Sequence, residues 1–451
     1  MKILIIGAGK VGLAIARQLN NEGHDISVVD SNAAKVAQVS DMYDVIALEG
    51  SGTDFAALRE AGVADCDLAI AATGSDEVNM VASTAASHMG AKHVAARMKN
   101  PAYSRERNFL REAFGMSAVF NPDMGAAREI ARILQFPTAA RVETFARGRA
   151  ELVEYRIPAG SELDGLALKD LVRRFRARVL VCAVERNGQV SIPKGDFVLR
   201  CGDRLNISGA RREMRRFFTA VGAYKKPVRS AMLLGGSRIS IYLAENLLDA
   251  GIHVTIIERN RERCEQLFDL LPEANIICGD GSKQEVLQEE GIREADAFVA
   301  LTGFDEDNII ISMYAQDCGV GKVVTKVSDD HFVPMLQRSG LDCFICPKTL
   351  AGSEIVRYAR AIQNAEGSSV ETLYRLNDDK VEALEFVVGA SSRCVNRPLK
   401  DVKLRGDVLI AAVIHENECI IPNGDTVIYP GDRAVVVTTG AGLRDLDAIL
   451  G

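Results

Sequence analysis

The 451-residue sequence predicts an α/β protein built as a tandem repeat: two doubly wound domains with parallel sheets, each followed by a small β-rich α+β domain. Three observations predict it. Strand-sized apolar runs alternate with amphipathic stretches through residues 1–135 and again through 225–363. After each of these segments comes a shorter one with short strands, turn glycines and few helical patterns. The second half also repeats the first nearly position for position.

The repeat fixes the organisation. "HDISVVD" ends at Asp30 and "IHVTIIE" at Glu258, 228 residues later. "EGSGTDFAALREAGVADCDLAIAATGSDEVNM" (49–80) returns as "CGDGSKQEVLQEEGIREADAFVALTGFDEDNI" (278–309). "IPKGDFVLRCGDRL" (192–205) returns as "IPNGDTVIYPGDRA" (421–434). Four domains are expected, at 1–135, 136–224, 225–363 and 364–451. The halves meet near "YKKPVRS" (224–230), where Pro227 and the basic residues read as a linker.

Within the first large segment, "KILIIG", "DISVVD", "DVIALEG", "LAIAAT" and "HVAARM" are strands, apolar almost throughout because both faces of such a sheet are covered. "SAVFNP" adds a further strand, and "MGAAREIARIL" (124–134) and "LAGSEIVRYARAI" (350–362) are closing helices. The small segments share "LKD" (168–170 and 399–401) and two Gly-Asp turns. The basic runs "RRFRAR" (173–178) and "RREMRR" (211–216) read as solvated helix faces.

Composition narrows the function classes. A net charge of −7 gives no global pull toward nucleic acid, and no DNA-binding helix-turn-helix is recognisable. The longest apolar runs, such as "VLIAAVI" (408–414), fall far short of the roughly 18–20 residues of a membrane span. "MKILIIGAG" runs straight into a glycine turn, so no signal peptide is expected. Ten cysteines without a disulfide or zinc rhythm fit a reducing cytoplasm. Cys343 and Cys346 form a lone CxxC, but the matching "SAVFNP" has Ala118 and Asn121 there, which favours two half-buried sheet residues.

The chemistry centres on "IIGAGKVG" (5–12). Gly7 permits a tight strand-to-helix turn, Gly9 lets a pyrophosphate approach the backbone, and Gly12 allows close helix–strand packing. The helix N-terminus then offers N–H groups and a positive dipole end to phosphate. Asp30, ending the next strand, has the spacing of an acid that binds a ribose 2′-OH, as in a Rossmann-like nucleotide site. It would repel a 2′-phosphate, so NAD(H) is favoured over NADP(H); ATP and ADP carry the same hydroxyl and stay open. The second copy, "LLGGSRIS" (233–240), keeps Gly235 and the acid Glu258, but Ser237 and Ser240 replace the second and third glycines. Ser237 would crowd a pyrophosphate and Ser240 push the helix outward, with Gly236 offering partial relief; binding there stays open.

In "TGSDEVNM" and "TGFDEDNI", Asp76 and Asp305 read as a cap and first-turn acid. Thr73 and Thr302 fall at the C-terminal edge of the sheet, where ligands bind in such folds. Arg97 and Lys326 are parallel basic residues that either reach a phosphate or pair an acid. No catalytic residue and no metal site is expected. No Tyr is followed four residues later by Lys, and the six histidines lack metal spacing. The alternative reading is an NAD(H)-binding oxidoreductase.

The chain resembles the TrkA family of regulatory subunits of bacterial Trk potassium-uptake systems. The carrying residues are "MKILIIGAGKVG", Asp30, "EGSGTD", "DEVNM", Arg97 and the repeated "IPxGDxVxxxGD" modules, over essentially the whole chain. The resemblance implies that the large segments are RCK (KTN) N-terminal domains and the small ones RCK C-terminal domains. It also implies a ring, usually a homotetramer, peripheral on the inner face of the cell membrane through a membrane-embedded potassium transporter. NAD(H), ATP or ADP would bind and bias the ring's shape. By the same resemblance the nucleotide positions are Gly7, Ala8, Gly9, Lys10, Val11, Asp30, Thr73 and Arg97. In the second half they are Gly235, Gly236, Ser237, Arg238, Ile239, Glu258, Thr302 and Lys326.

Overall fold

The computed structural model describes residues 1–135, 141–223, 227–329, 343–365, 370–376, 380–440 and 445–451, with a few single positions between. Part of the expected linker, 224–226, lies outside the described residues.

The first large segment runs β1 (Lys2–Ile6), α1 (Lys10–Asn21), β2 (Asp25–Asp30), α2 (Ala33–Met42), β3 (Ile46–Glu49), α3 (Phe55–Glu60), β4 (Leu68–Ala71), α4 (Asp76–His88), β5 (His93–Arg97), α5 (Pro101–Arg105), α6 (Arg107–Ala113), β6 (Ala118–Phe120) and α7 (Pro122–Gln135). Its six strands pair in the order β3-β2-β1-β4-β5-β6, all parallel. The order reverses between β1 and β4, which opens a crevice at the strands' C-terminal ends. The apolar runs explain the core: Leu4, Ile5, Leu68 and Ile70 are fully buried, with helices on both faces.

The second large segment repeats this with β12 (Ser230–Leu234), α10 (Arg238–Asp249), β13 (His253–Glu258), α11 (Arg261–Leu270), β14 (Asn275–Cys278), α12 (Gln284–Glu289), β15 (Ala297–Ala300), α13 (Asp305–Asp317), β16 (Lys322–Lys326), β17 (Phe344–Ile345) and α14 (Pro347–Ala365). The strand order is the same, β14-β13-β12-β15-β16-β17. Cys343 and Cys346 flank the short β17, both buried, and no metal-binding cluster occurs among the described residues.

The small segments are antiparallel. β7 (Arg141–Phe145), β8 (Ala150–Arg156), β9 (Val179–Arg186), β10 (Gln189–Ser191) and β11 (Arg204–Gly209) form one five-stranded sheet, carrying α8 (Leu168–Phe175) and α9 (Arg211–Ala220). β18 (Val370–Leu376), β19 (Val381–Val387), β20 (Val408–His415), β21 (Glu418–Ile420) and β22 (Arg433–Thr438) form the other. The basic runs sit largely at the surface: Arg173 pairs with Asp170 at 2.6 Å and Arg174 with Glu162 at 3.0 Å.

The sequence halves are not the compact units. One unit joins the two large segments, Met1–Ala131 with Ser230–Ala359; the other joins the two small ones, Arg132–Arg229 with Arg360–Gly451. In the first unit each copy's leading helix packs on the other's closing helix. Gln18 of α1 donates to the Thr349 carbonyl of α14 at 3.1 Å, and a Cβ on Gly352 would strike that glutamine at 2.8 Å. Tyr242 of α10 accepts from Asn121, just before α7, at 3.1 Å. In the second unit the two small sheets share one core, which includes Phe145, Leu152, Val381 and Val437, with Phe145 edge-on to Tyr374 at 5.0 Å. Among the described residues, no helix is long and apolar enough to cross a membrane.

Candidate nucleotide-binding site

The two glycine turns share a frame and differ at the point of contact with a ligand. Gly7 has φ +109° and Gly235 φ +96°, a left-handed conformation that side chains rarely adopt. In each copy the acid ending the second strand braces the turn. Asp30 accepts from the Ala8 N–H at 2.7 Å and the Asn32 N–H at 2.9 Å; Glu258 accepts from Gly236 at 2.6 Å and Asn260 at 2.8 Å. The carboxylate is thereby held at the crevice mouth, with lone pairs to spare for a ribose diol.

Gly12 serves the fold. A Cβ there would lie 1.8 Å from the Gly7 carbonyl oxygen. Gly9 does not: its φ of −73° suits any residue, and a Cβ would meet nothing within 4 Å. Neither packing nor backbone conformation demands glycine at position 9. Gly9 is also the N-cap of α1 and offers no side-chain acceptor, so the N–H groups of the first turn face the crevice uncapped. These features fit the phosphates of an adenine nucleotide. The Gly7 N–H is taken by the Val29 carbonyl at 2.7 Å and the Ala8 N–H by Asp30, so Gly7 and Ala8 would shape the turn, Gly9, Lys10 and Val11 would offer backbone N–H groups to the phosphates, and Asp30 would hold the ribose.

The second turn is capped from within. Ser237 accepts from the Ser240 N–H at 3.3 Å, and the Ser240 hydroxyl donates to the Gly235 carbonyl. Ser240 is fully buried, so the helix stays against the strand, and the expected outward push is taken up by that hydrogen bond. Gly236 does not give open space: a Cβ there would meet Leu267 at 2.6 Å and Glu258 at 3.0 Å, so this glycine is needed by packing. The neighbouring Ile239 is buried in the fold, while Arg238 turns to Asp123 at 2.8 Å. A cavity of about 320 Å³ opens beside this turn, lined by Glu258, Arg259, Asp280, Thr302 and Phe304 among others.

Thr73 and Thr302 lie at the ends of β4 and β15, each fixed by a buried asparagine that sequence reasoning passed over. Asn79 accepts from the Thr73 N–H at 2.8 Å and hydroxyl at 2.7 Å, and donates to the Arg97 carbonyl at 2.9 Å. Asn308 does the same for Thr302 and the Lys326 carbonyl. The signal was present, since the asparagine recurs at one register of both "DEVNM" and "DEDNI". Asp76 and Asp305 are first-turn acids, as expected, but not the caps. Ser75 caps α4 by accepting from Val78, and Phe304 stands at that position on α13. Asp76 instead accepts from the Lys99 and Asn100 N–H groups, and Asp305 from Ser328, latching the segments after β5 and β16.

The basic pair is half-buried. Burial holds the Arg97 guanidinium below the usual arginine value, Asp123 and Asp76 pulling it back up, and its Nε has no hydrogen-bond partner among the described residues. Lys326 donates to the Thr302 carbonyl at 2.6 Å; burial lowers its pKa, against Asp305 and Asp123. Asp123 is thus an acid close to cations of both copies.

The TrkA-N domain model matches residues 3–122 and 231–347, and the TrkA-C domain model residues 152–222 and 383–451. The chain belongs to the TrkA family. A Trk system potassium uptake protein TrkA homolog of Archaeoglobus fulgidus is 34% identical over 437 residues, covering 97% of each chain. The Trk system potassium uptake protein TrkA of Vibrio alginolyticus is 32% identical over 440 residues, covering 97% of this chain and 95% of its own. Among solved structures, the GsuK channel bound to NAD superposes with a TM-score of 0.60 at 18% identity, over 97% of this chain and 77% of that one. GsuK bound to ADP gives 0.51 at 15% identity, over 81% and 69%. These likenesses show the fold: tandem TrkA-N domains of Rossmann-like topology, each followed by a TrkA-C domain.

Proposed function

We propose that this TrkA-family chain is a nucleotide-responsive regulatory subunit of a Trk-type potassium-uptake system, and not an enzyme. One observation carries the nucleotide reading: Gly9 is glycine for no reason of the fold, at the uncapped start of α1 and beside Asp30. NAD(H), ATP and ADP all suit that site. The relatives named for Trk potassium uptake support both the system and a part in transport over turnover. Coupling comes from the pairing of the two TrkA-N domains. Lys10 of the first turn acts electrostatically on Lys326 of the second domain, so charge placed at the first turn is felt across the domain boundary.

The chain self-associates as a homotetramer and docks peripherally, from the cytoplasmic side, on a membrane-embedded potassium transporter subunit. Val81 of α4 and Ile310 and Met313 of α13 are exposed on helix faces, apolar surface suited to a partner. Co-purification with a Trk-type membrane subunit, with and without nucleotide, tests the reading. Nucleotide-dependent recovery of the complex is expected; NADH turnover without any association would favour the oxidoreductase.

A further inference from the structure

The second TrkA-N domain holds a formed cavity beside a turn whose helix is capped by its own serine. This contrast deepens the proposed function and rests on the reading of the first turn as a nucleotide site. Three differences between the copies converge. First, the Ser237 hydroxyl accepts the Ser240 N–H, in a turn where the first copy has only Gly9 and no side-chain cap. A phosphate entering the second turn must displace an acceptor already in place. Second, the cavity walls are acidic. Glu258, Asp280 and Asp307 line them with Arg259, while Arg263 and Lys326 are turned to the carbonyls of Gly236 and Thr302 at 2.7 and 2.6 Å. At the corresponding positions the first copy has Asp30, Ser51 and Val78, with Ser31 for Arg259. Asp280 accepts from the Ser282 hydroxyl at 2.8 Å and N–H at 3.1 Å, which keeps it ionised. Third, the Arg259 guanidinium stands 6.0 Å from the centroid of the Phe304 ring, two flat groups at the cavity wall suited to a planar base.

The elements of nucleoside recognition therefore survive: an acid at the ribose position, a flat wall, and carboxylates that accept from an exocyclic amine. Those of phosphate recognition do not. A pyrophosphate brought into this cavity would meet three carboxylates on its walls and a capped helix end. We infer that the second cavity binds an uncharged amino-bearing nucleoside of the adenosine type and rejects its phosphorylated forms.

The test uses the full-length chain with Gly9→Val, which obstructs the phosphates at the first turn where a Cβ meets nothing within 4 Å, and repeats it with Asp30→Asn added, so that adenosine bound at the first copy's ribose acid is told apart from adenosine in the second cavity. Calorimetric titration with adenosine, AMP and ADP should show one equivalent of adenosine per chain, with ADP at least tenfold weaker. Asp280→Ser combined with Asp307→Val installs the first copy's residues at two exposed positions and should narrow that ratio toward one. ADP binding as tightly as adenosine in the Gly9→Val chain would overturn the inference, as would no adenosine binding at all. The wild-type chain separates the two readings. If it binds none of NAD, NADH, ATP and ADP, the nucleotide reading itself falls; if it binds any of them while adenosine is silent in Gly9→Val, only this inference does.

Discussion

Substituting Gly9→Ser writes the second copy's residue into the first, and the structure predicts opposite effects on stability and on binding. For the fold, the change is harmless. The backbone at Gly9 is extended, and a Cβ meets nothing within 4 Å. The new hydroxyl is placed to cap α1 as Ser237 caps α10, where it accepts from the N–H three residues on. Serine over glycine at an N-cap is worth only a few tenths of a kcal/mol, so the unfolding midpoint should hold or rise slightly. Binding should suffer, because the cap takes an N–H that a phosphate would otherwise accept. One hydrogen bond to a charged group is worth about 1.5–3 kcal/mol, a loss of roughly 10- to 150-fold in affinity. Thermal unfolding and calorimetric titration with NAD, NADH, ATP and ADP read the two quantities on one sample. A clear fall in the midpoint, or unchanged affinity for every nucleotide, would refute the reasoning that separates a ligand glycine from a packing glycine. Gly12→Ala supplies the converse: its Cβ would sit 1.8 Å from the Gly7 carbonyl oxygen, so stability should fall by about 1–3 kcal/mol or more as the turn opens.

Other outcomes follow from the same structure. Asn79→Ala strips acceptor and donor from the Thr73 N–H and the Arg97 carbonyl, and should cost about 2–4 kcal/mol in denaturant unfolding, with weaker nucleotide binding besides. Glu151 is buried, which pushes its carboxyl up to about 6 against the opposing pull of Arg211. A carboxyl raised in the folded state gives stability that is full below its unfolded value and lost as pH rises through 6. Glu151→Gln should therefore raise stability at pH 7, by about 2 kcal/mol at most, and flatten the pH profile below 6. The His415 imidazole is raised by its 2.7 Å hydrogen bond to Asp432. Its contribution is present below the ordinary histidine range and lost as pH rises through the raised value. Arg186 makes the equivalent pair with Asp203 and stays charged, so His415→Arg should remove that pH dependence, read by thermal melts across pH 6–9.

Much of the fold was legible because its cause is local. Apolar runs such as "KILIIG" and "LAIAAT" can only be strands covered on both faces, and a left-handed turn between strand and helix needs Gly7. The placement of Asp30 and Glu258 beside the turns was legible from spacing, since the turn and the next strand's end are brought together by parallel pairing of β1 with β2 and β12 with β13, whereas their bracing of the turn N–H groups was not. What the sequence hid depends on contacts distant along the chain. The pairing of the large domains across the halves rests on Gln18 against Gly352 and Tyr242 against Asn121, and a repeat records covalent order only. Asn79 reads as a polar helix residue until Thr73, just after β4, and the Arg97 carbonyl, at the end of β5, are seen to enclose it. The same holds for Asp76, whose partners lie 23 and 24 residues later.

The central claim is that nucleotide at the first turn controls ion flux through a partner. Potassium flux into liposomes carrying a Trk-type membrane subunit, with this chain added from outside, tests it directly. The account predicts that at least one of NAD, NADH, ATP and ADP changes the flux, only when the chain is present, and that Gly9→Ser abolishes the nucleotide effect while leaving the fold intact. Flux that ignores nucleotide with the wild-type chain, or that responds equally with Gly9→Ser, would contradict it.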